Sequence, residues 1–183
     1  MLHSFPCGSL PLDFVGTLQA RRNETPTEVL DTPAALDAWL VESRVLDAAP
    51  AADSADLETA RAFREASYAL IAARLTGEPL PNEELRIVNE HAAGTPVELR
   101  LQRDGLRRTG TVAQGITTLA RELTELLGGD DAELLRECGR PECTQVYLDR
   151  SRGRRREWCS MKTCGNRVKA STFRARQRAM ASH

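Results

Sequence analysis

The chain has 183 residues, of which 41% are apolar and 28% are charged. This length allows one main domain with a small second one, and the composition excludes a fibrous or disordered chain. No apolar run approaches the roughly 20 residues that a membrane-spanning helix needs, and the segment MLHSFPCGSLPLDF lacks a signal-peptide pattern. We therefore expect a cytoplasmic protein that has no membrane partner and keeps its thiols reduced.

The net charge of -1 conceals two oppositely charged parts of the chain. Residues 136–183 contain thirteen Lys and Arg against four Asp and Glu, a net +9, so the remainder carries -10. A basic segment attached to an acidic body is typical of a protein that meets a polyanion. A basic tail that is merely solvated is the alternative interpretation.

Helical periodicity dominates the first 130 residues. Apolar residues recur at helical spacing in five segments, and capping residues or glycines mark several of their ends. Between the fourth and fifth segments, apolar and polar residues alternate over 97–102, and Asp104-Gly105 is a strong hairpin signal. The helices are predicted over about 10–21, around Leu36–Leu40, from Leu57 to near Gly77, from Asn82 to Gly94, and from Ile116 to Gly128.

Four cysteines lie within 27 residues near the C-terminus as two pairs with one spacing. They are Cys138-x4-Cys143 and Cys159-x4-Cys164. Structural zinc takes four soft ligands in a tetrahedron, commonly two from each of two local loops, so the pattern predicts a Zn²⁺ site. An iron-sulfur cluster and a thiol redox switch are the alternatives. Four cysteines would close the coordination shell, which argues against an enzyme.

The segment between the cysteine pairs is predicted to form a hairpin. QVYLD has strand composition, RSRGR contains a turn glycine, and RRREW returns toward the second pair. VKASTFRARQRAM behind Cys164 is predicted to be a helix. The sequence thus predicts an α+β protein: a mainly helical domain with one β-hairpin over residues 1–130, then a small treble-clef-like four-cysteine zinc module with a C-terminal basic helix over 131–183.

The excess of arginine beyond the metal site predicts nucleic-acid binding, and a basic helix of this kind can lie in the major groove of duplex DNA. An RNA-binding module has the same composition and is the alternative. The predicted contacts are Arg152, Arg154, Arg155, Arg156, Arg167, Lys169, Arg174, Arg176 and Arg178.

The acidic N-terminal domain is predicted to sense a signal or to form a homodimer. Asp13, Thr17, Arg21 and Arg22 could line a pocket for a small-molecule effector, although core packing and helix capping explain them equally well. Cys7 is far from the cysteine pairs in the sequence and is expected to be a bystander.

The cysteine segment resembles the CGNR zinc finger proteins of bacteria, through CGRPEC, VYLDRSRGRRR, WCSMKTCGNR and the basic helix that follows. PLDFVGTLQARR and the helix, hairpin, helix order resemble the ABATE domain that precedes this finger. The resemblance implies a stress-responsive transcription regulator with zinc on Cys138, Cys143, Cys159 and Cys164. One departure is Gly16, which stands where the family usually has asparagine.

Overall fold

The computed structural model describes residues 3–181. Within this range a mainly helical body carries two short antiparallel strand pairs, and a third pair belongs to the cysteine-containing segment. The predicted α+β class, with a cysteine module and a terminal helix, is confirmed. The helices are α1 (Leu10–Val15), α2 (Pro33–Glu42), α3 (Ser54–Thr76), α4 (Asn82–Ala92), α5 (Val112–Gly128) and α6 (Asn166–Ala181), with a 3₁₀ turn at Asp130–Leu134 and a π-helical turn at Met161–Gly165.

Helix α3 is the centre of the body, and α1, α2, α4 and α5 pack against it. A capping box between Asp53 and Asp56 begins it, and Gly77, in the left-handed region at a φ of 75°, ends it. The Phe14 ring makes edge contact with Trp39 at 4.9 Å between centroids in the buried core. No helix in the described range is both long and apolar enough to cross a membrane.

The first helix ends at Val15, so the prediction of a helix to residue 21 is wrong beyond that point. The Thr17 amide and hydroxyl both donate to the Phe14 carbonyl, at 3.0 and 2.6 Å, and Ala20 adopts a φ of 52°. These contacts turn the chain out of the helix. Strand β1 (Leu18–Gln19) then pairs with β2 (Thr27–Glu28).

The predicted hairpin is confirmed as β3 (Glu98–Gln102) and β4 (Gly105–Thr109), with Gly105 at a φ of 138° in the turn. Leu101 and Leu106 face each other across the strands, and both are exposed. The hairpin therefore contributes little to the core.

The hairpin of the cysteine module lies elsewhere than predicted. Strand β5 (Leu135–Glu137) pairs with β6 (Val146–Leu148), so the hairpin encloses the first cysteine pair instead of separating the two pairs. Residues 150–157 form a loop whose ends meet at the buried Asp149: its carboxylate accepts hydrogen bonds from the Ser151 amide at 2.9 Å and the Arg156 amide at 3.1 Å. The segment RRREW was expected to form the second strand of the hairpin. Instead most of it belongs to this loop, whose two ends are held together by the Asp149 carboxylate.

The module and the body share one continuous core. The Leu148 amide donates to the Cys7 carbonyl at 2.8 Å, and Gln145 Nε2 donates to the Gly16 carbonyl at 3.0 Å. The Cys7 thiol is fully buried and donates to Gln145 Oε1 at 3.0 Å. Cys7 is thus part of the junction between the two parts, and the division at residue 130 stays a prediction.

Candidate metal centre and nucleic-acid interface

The four paired cysteines converge on one buried point. Their sulfur atoms all lie within 4.8 Å of one another. The Sγ of Cys159 is 3.8 Å from that of Cys143 and 3.6 Å from that of Cys164. Sulfurs bound tetrahedrally to zinc at about 2.3 Å are about 3.8 Å apart. The cluster therefore fits a metal ion that takes sulfur ligands.

The β5–β6 hairpin positions the first cysteine pair. The Cys138 amide donates to the Gln145 carbonyl at 3.0 Å, which closes the loop between the strands. The sulfur of Cys138 interacts with the Arg140 amide, and that of Cys143 with the Gln145 amide, two residues on in each case. Amides aimed at sulfur stabilise thiolates before and after a cation binds.

A helical turn brings the second pair to the same point. Ser160 precedes the turn Met161–Gly165, and its hydroxyl accepts a hydrogen bond from the Lys162 amide at 3.1 Å. The turn places Cys164 beside Cys159 and continues directly into α6. Ser160 is therefore the capping residue of this turn.

The thiols differ in acidity. A hydrogen bond from the Cys159 thiol lowers the pKa of Cys143 to about 5, although burial opposes this. Burial raises the pKa of Cys138, and the bond to the Cys143 thiolate raises the pKa of Cys159. Cys143 is thus more acidic than Cys138 and Cys159, and binding of a cation would displace the protons of the clustered thiols.

The Trp158 ring packs between Gly139 and Gly165, which directly follow the clustered cysteines Cys138 and Cys164. A Cβ on Gly139 would lie 3.4 Å from the ring, and one on Gly165 would lie 3.2 Å from it and 2.7 Å from the Met161 sulfur. Gly165 does not adopt a left-handed φ. Close packing against Trp158 and Met161, rather than backbone conformation, therefore favours glycine there.

Arg156 is a structural tie within the module. Its guanidinium donates to the carbonyls of Pro6, Leu148, Trp158 and Cys159, and it stacks on the Tyr147 ring at 4.3 Å. Tyr147 in turn donates its hydroxyl hydrogen to the Arg156 carbonyl at 2.5 Å. These contacts occupy the guanidinium N–H groups of Arg156 that would otherwise donate hydrogen bonds to a phosphate.

The other predicted nucleic-acid contacts are exposed. Arg154 lies 3.8 Å from the Glu133 carboxylate. Among residues 3–181, several basic side chains of the module make no ion pair: Arg152, Arg155, Lys162, Arg167, Lys169, Arg174 and Arg176. Arg152, Arg155 and Lys162 line an open groove of about 720 Å³ together with Trp158 and Met161. Lys162 was not among the predicted contacts. The only feature of the sequence that could have indicated it is its position between Cys159 and Cys164.

The four residues of the predicted effector pocket do not lie together. Asp13 and Thr17 line a cavity that also has walls from the cysteine module. Arg21 bonds Glu65 and stacks on Tyr68, and Arg22 bonds Glu137; neither lines that cavity. Sequence analysis missed the walls that come from the module, because they meet α1 only in the folded chain.

Family models match two parts of the chain. Residues 8–137 match ABATE, described as "Putative stress-induced transcription regulator", and residues 135–177 match the CGNR zinc finger. A comparison with curated proteins gave no match. The first match spans well over half of the chain, and the second contains all four clustered cysteines. The chain therefore belongs to the ABATE family and carries a CGNR zinc finger.

Proposed function

We propose that the protein is a zinc-dependent transcription regulator that binds duplex DNA with the basic surface of its cysteine module. Helix α6 is the observation that carries this proposal. It has five basic and no acidic residues, and its side chains from Lys169 to Arg178 are all exposed. An exposed helix of this charge needs a polyanionic partner or full solvation.

Zinc is the metal that best suits the cluster, because four sulfurs at tetrahedral spacing are its common structural ligand set. Cys138, Cys143, Cys159 and Cys164 would hold it, and the ion would supply a fixed link between the hairpin and the turn before α6. Four thiolates leave no open coordination position for a substrate. The proposed role of this site is therefore structural, and we propose no catalytic role for it.

The arrangement of cations on α6 favours duplex DNA over RNA. Helix α6 comprises the sixteen residues Asn166–Ala181. At 1.5 Å per residue its length is about 24 Å. Lys169 and Arg176 share one side, while Arg167 and Arg174 lie almost opposite. A helix in the major groove of B-DNA has a phosphate strand on each side, whereas the major groove of A-form RNA is too narrow to admit it.

The groove beside the metal centre extends the cationic surface. Arg152, Arg155 and Lys162 are exposed there, next to the half-buried Trp158. We leave Arg156 out of the interface because its guanidinium is held by carbonyls. With about six phosphates contacted, the slope of log K against log salt is about -5.

The test is binding of fluorescent duplex DNA by the zinc-loaded full chain, titrated with salt and with structured RNA as competitor. Lys169→Glu/Arg176→Glu should abolish measurable binding. Arg100→Glu/Arg107→Glu makes the same charge change on the exposed β3–β4 hairpin and should leave binding nearly intact. Equal losses in both variants, or preference for RNA, would count against the proposal.

The helical body would then be the part that responds to a signal, in keeping with the stress-related description of its family. Reduced thiols suit such a regulator in the cytoplasm. A homodimer stays a prediction.

A further inference from the structure

A polar cavity of about 410 Å³ lies where the cysteine module meets the body. This volume is within the range of small-molecule sites. Its walls come from the segment before α1, the end of α1, the β1–β2 region, helix α2, the first cysteine loop, and the second cysteine turn with the start of α6. The residues that carry the argument are Asp13, Thr17, Trp39, Arg140, Gln145 and Arg167.

Asp13 supplies an acceptor on the body side. Asp13 is buried, with the residue 6% exposed, and its Oδ1 accepts a hydrogen bond from the Cys7 amide at 2.9 Å. Thr17 and Trp39 lie on the same side, and the buried indole adds apolar surface. A buried carboxylate beside a cavity favours a ligand group that donates hydrogen bonds.

Two guanidinium groups supply positive charge on the module side. Arg140 bonds Glu142 at 2.8 Å and also interacts with the Cys164 sulfur, and because the Glu142 carboxylate lines the cavity too, Arg167 supplies the net positive charge there. Arg167 makes no ion pair within residues 3–181. An anionic ligand group facing Arg167 would form a charge-assisted pair.

The neighbouring metal centre limits how much negative charge the cavity accepts. Zinc with four thiolates has a formal charge of -2, and Cys143 and Cys164 are among the lining residues. A doubly charged phosphate would be repelled by this centre more strongly than a singly charged carboxylate. The charges therefore favour a carboxylate.

We propose that this cavity binds a small carboxylic acid that also carries an amino or hydroxyl group, with the carboxylate on Arg167 and Arg140 and the donor group on Asp13. The compound acts as an effector because Arg167 lies in the first turn of α6, three residues after Cys164. A ligand that joins Arg167 to Asp13 fixes the start of α6 relative to the body, and it also occupies the Arg167 guanidinium that would otherwise face a phosphate strand. This regulatory role rests on the proposed DNA binding by α6, whereas the ligand site does not.

The test uses the zinc-loaded full chain and calorimetric titration with lactate and the proteinogenic amino acids that carry a single carboxylate, at millimolar concentrations. At least one should bind, and its amide, which lacks the carboxylate, should bind at least about tenfold more weakly. Arg167→Gln should weaken binding by a similar factor, while Arg100→Gln on the distant hairpin should not change it.

Failure of every acid to bind, or unchanged affinity in Arg167→Gln, would overturn the ligand site. DNA affinity is measured in the same preparations with and without the bound acid. A change in DNA affinity supports the effector role. Ligand binding without any such change would remove the regulatory role, and absence of DNA binding altogether would overturn the proposed function while leaving the ligand site standing.

Discussion

The side-chain amide of Gln145 lies directly over the backbone of Gly16. Its Nε2 donates to the Gly16 carbonyl at 3.0 Å, and a Cβ at position 16 would approach the amide to 2.7 Å. The same amide accepts the Cys7 thiol hydrogen through Oε1. An amide from the cysteine module thus occupies the space beside α1 that an asparagine at position 16 would need.

This contact predicts coupling between the two positions. Gly16→Ala should lower the free energy of unfolding by about 1–2 kcal/mol, because the Gln145 amide must move and lose its hydrogen bonds. In a Gln145→Ala background the same change should cost little. Denaturant unfolding of the four zinc-loaded proteins gives the coupling energy, and strictly additive effects would contradict the contact.

The packing of Trp158 predicts a cost for a methyl group at Gly165. Gly165→Ala should push Trp158 and Met161 away and weaken zinc binding by about 1–3 kcal/mol, measured by competition with a chelator. Gly128→Ala, at a position with nothing within 4 Å, is the matched control and should keep zinc affinity unchanged. An unaltered affinity in both variants would show that the ring tolerates the methyl group.

The sequence predicts local features well and non-local ones poorly. Helix α3 and the β3–β4 hairpin follow from periodicity, capping residues and turn glycine, which act within a few residues. The partner of Val146–Leu148 was misassigned because Leu135–Glu137, on the far side of the first cysteine pair, competes with the nearer arginine segment. The sequence pattern does not indicate which of the two segments pairs with Val146–Leu148. In the structure Leu135–Glu137 is the partner, and the arginine segment forms a loop that hydrogen bonds to Asp149 hold closed.

The same limit applies to the candidate sites. Cysteine spacing was enough to predict the ligand cluster, whereas the sequence alone did not distinguish Arg156 from Arg155. The first bonds four carbonyls and the second is exposed in the basic groove. Only the fold separates a structural arginine from one that is available to a partner.

Replacement by glutamine should therefore have different effects at Arg156 and at Arg155. Arg156→Gln should lower the free energy of unfolding by about 2 kcal/mol or more, since buried carbonyls lose a charged donor. Arg155→Gln should leave stability within about 0.5 kcal/mol and reduce the salt slope of DNA binding by about 1. Thermal unfolding and salt titration of both variants check this, and a stability loss in Arg155→Gln would contradict the assignment.

Burial of Asp13 predicts that the free energy of unfolding depends on pH. Burial raises its pKa from 3.8 to about 6. The unfolded chain therefore loses this proton at lower pH than the folded one, so stability falls as pH rises between about 4 and 6 and the cost is complete above about 6. The shift corresponds to about 3 kcal/mol.

Asp13→Asn removes that cost and can still accept the Cys7 amide hydrogen bond. The variant should be more stable than the original protein at about pH 8, by up to about 3 kcal/mol, and the gain should shrink by roughly half at about pH 5. Urea unfolding at several pH values measures it. Asp149→Asn is the contrasting control: hydrogen bonds from Ser151 lower the pKa of Asp149, so this change should destabilise the folded protein at neutral pH. A gain in Asp13→Asn that does not vary with pH would contradict burial as its cause.

Metal stoichiometry separates Cys7 from the clustered cysteines. Cys164→Ser should lower the zinc content well below one ion per chain, because a hydroxyl is a poor substitute for thiolate in a four-sulfur site. Cys7→Ser should keep one ion, since the Cys7 sulfur bonds Gln145 and is outside the cluster.

Elemental analysis gives the zinc content of each variant, and hydrogen exchange shows which part of the chain the loss of zinc affects. Without zinc, the amides of Val146–Leu148 should lose protection while those around Phe63, in the core of α3, keep it. Equal zinc content in the two variants would rule out the assigned ligand set.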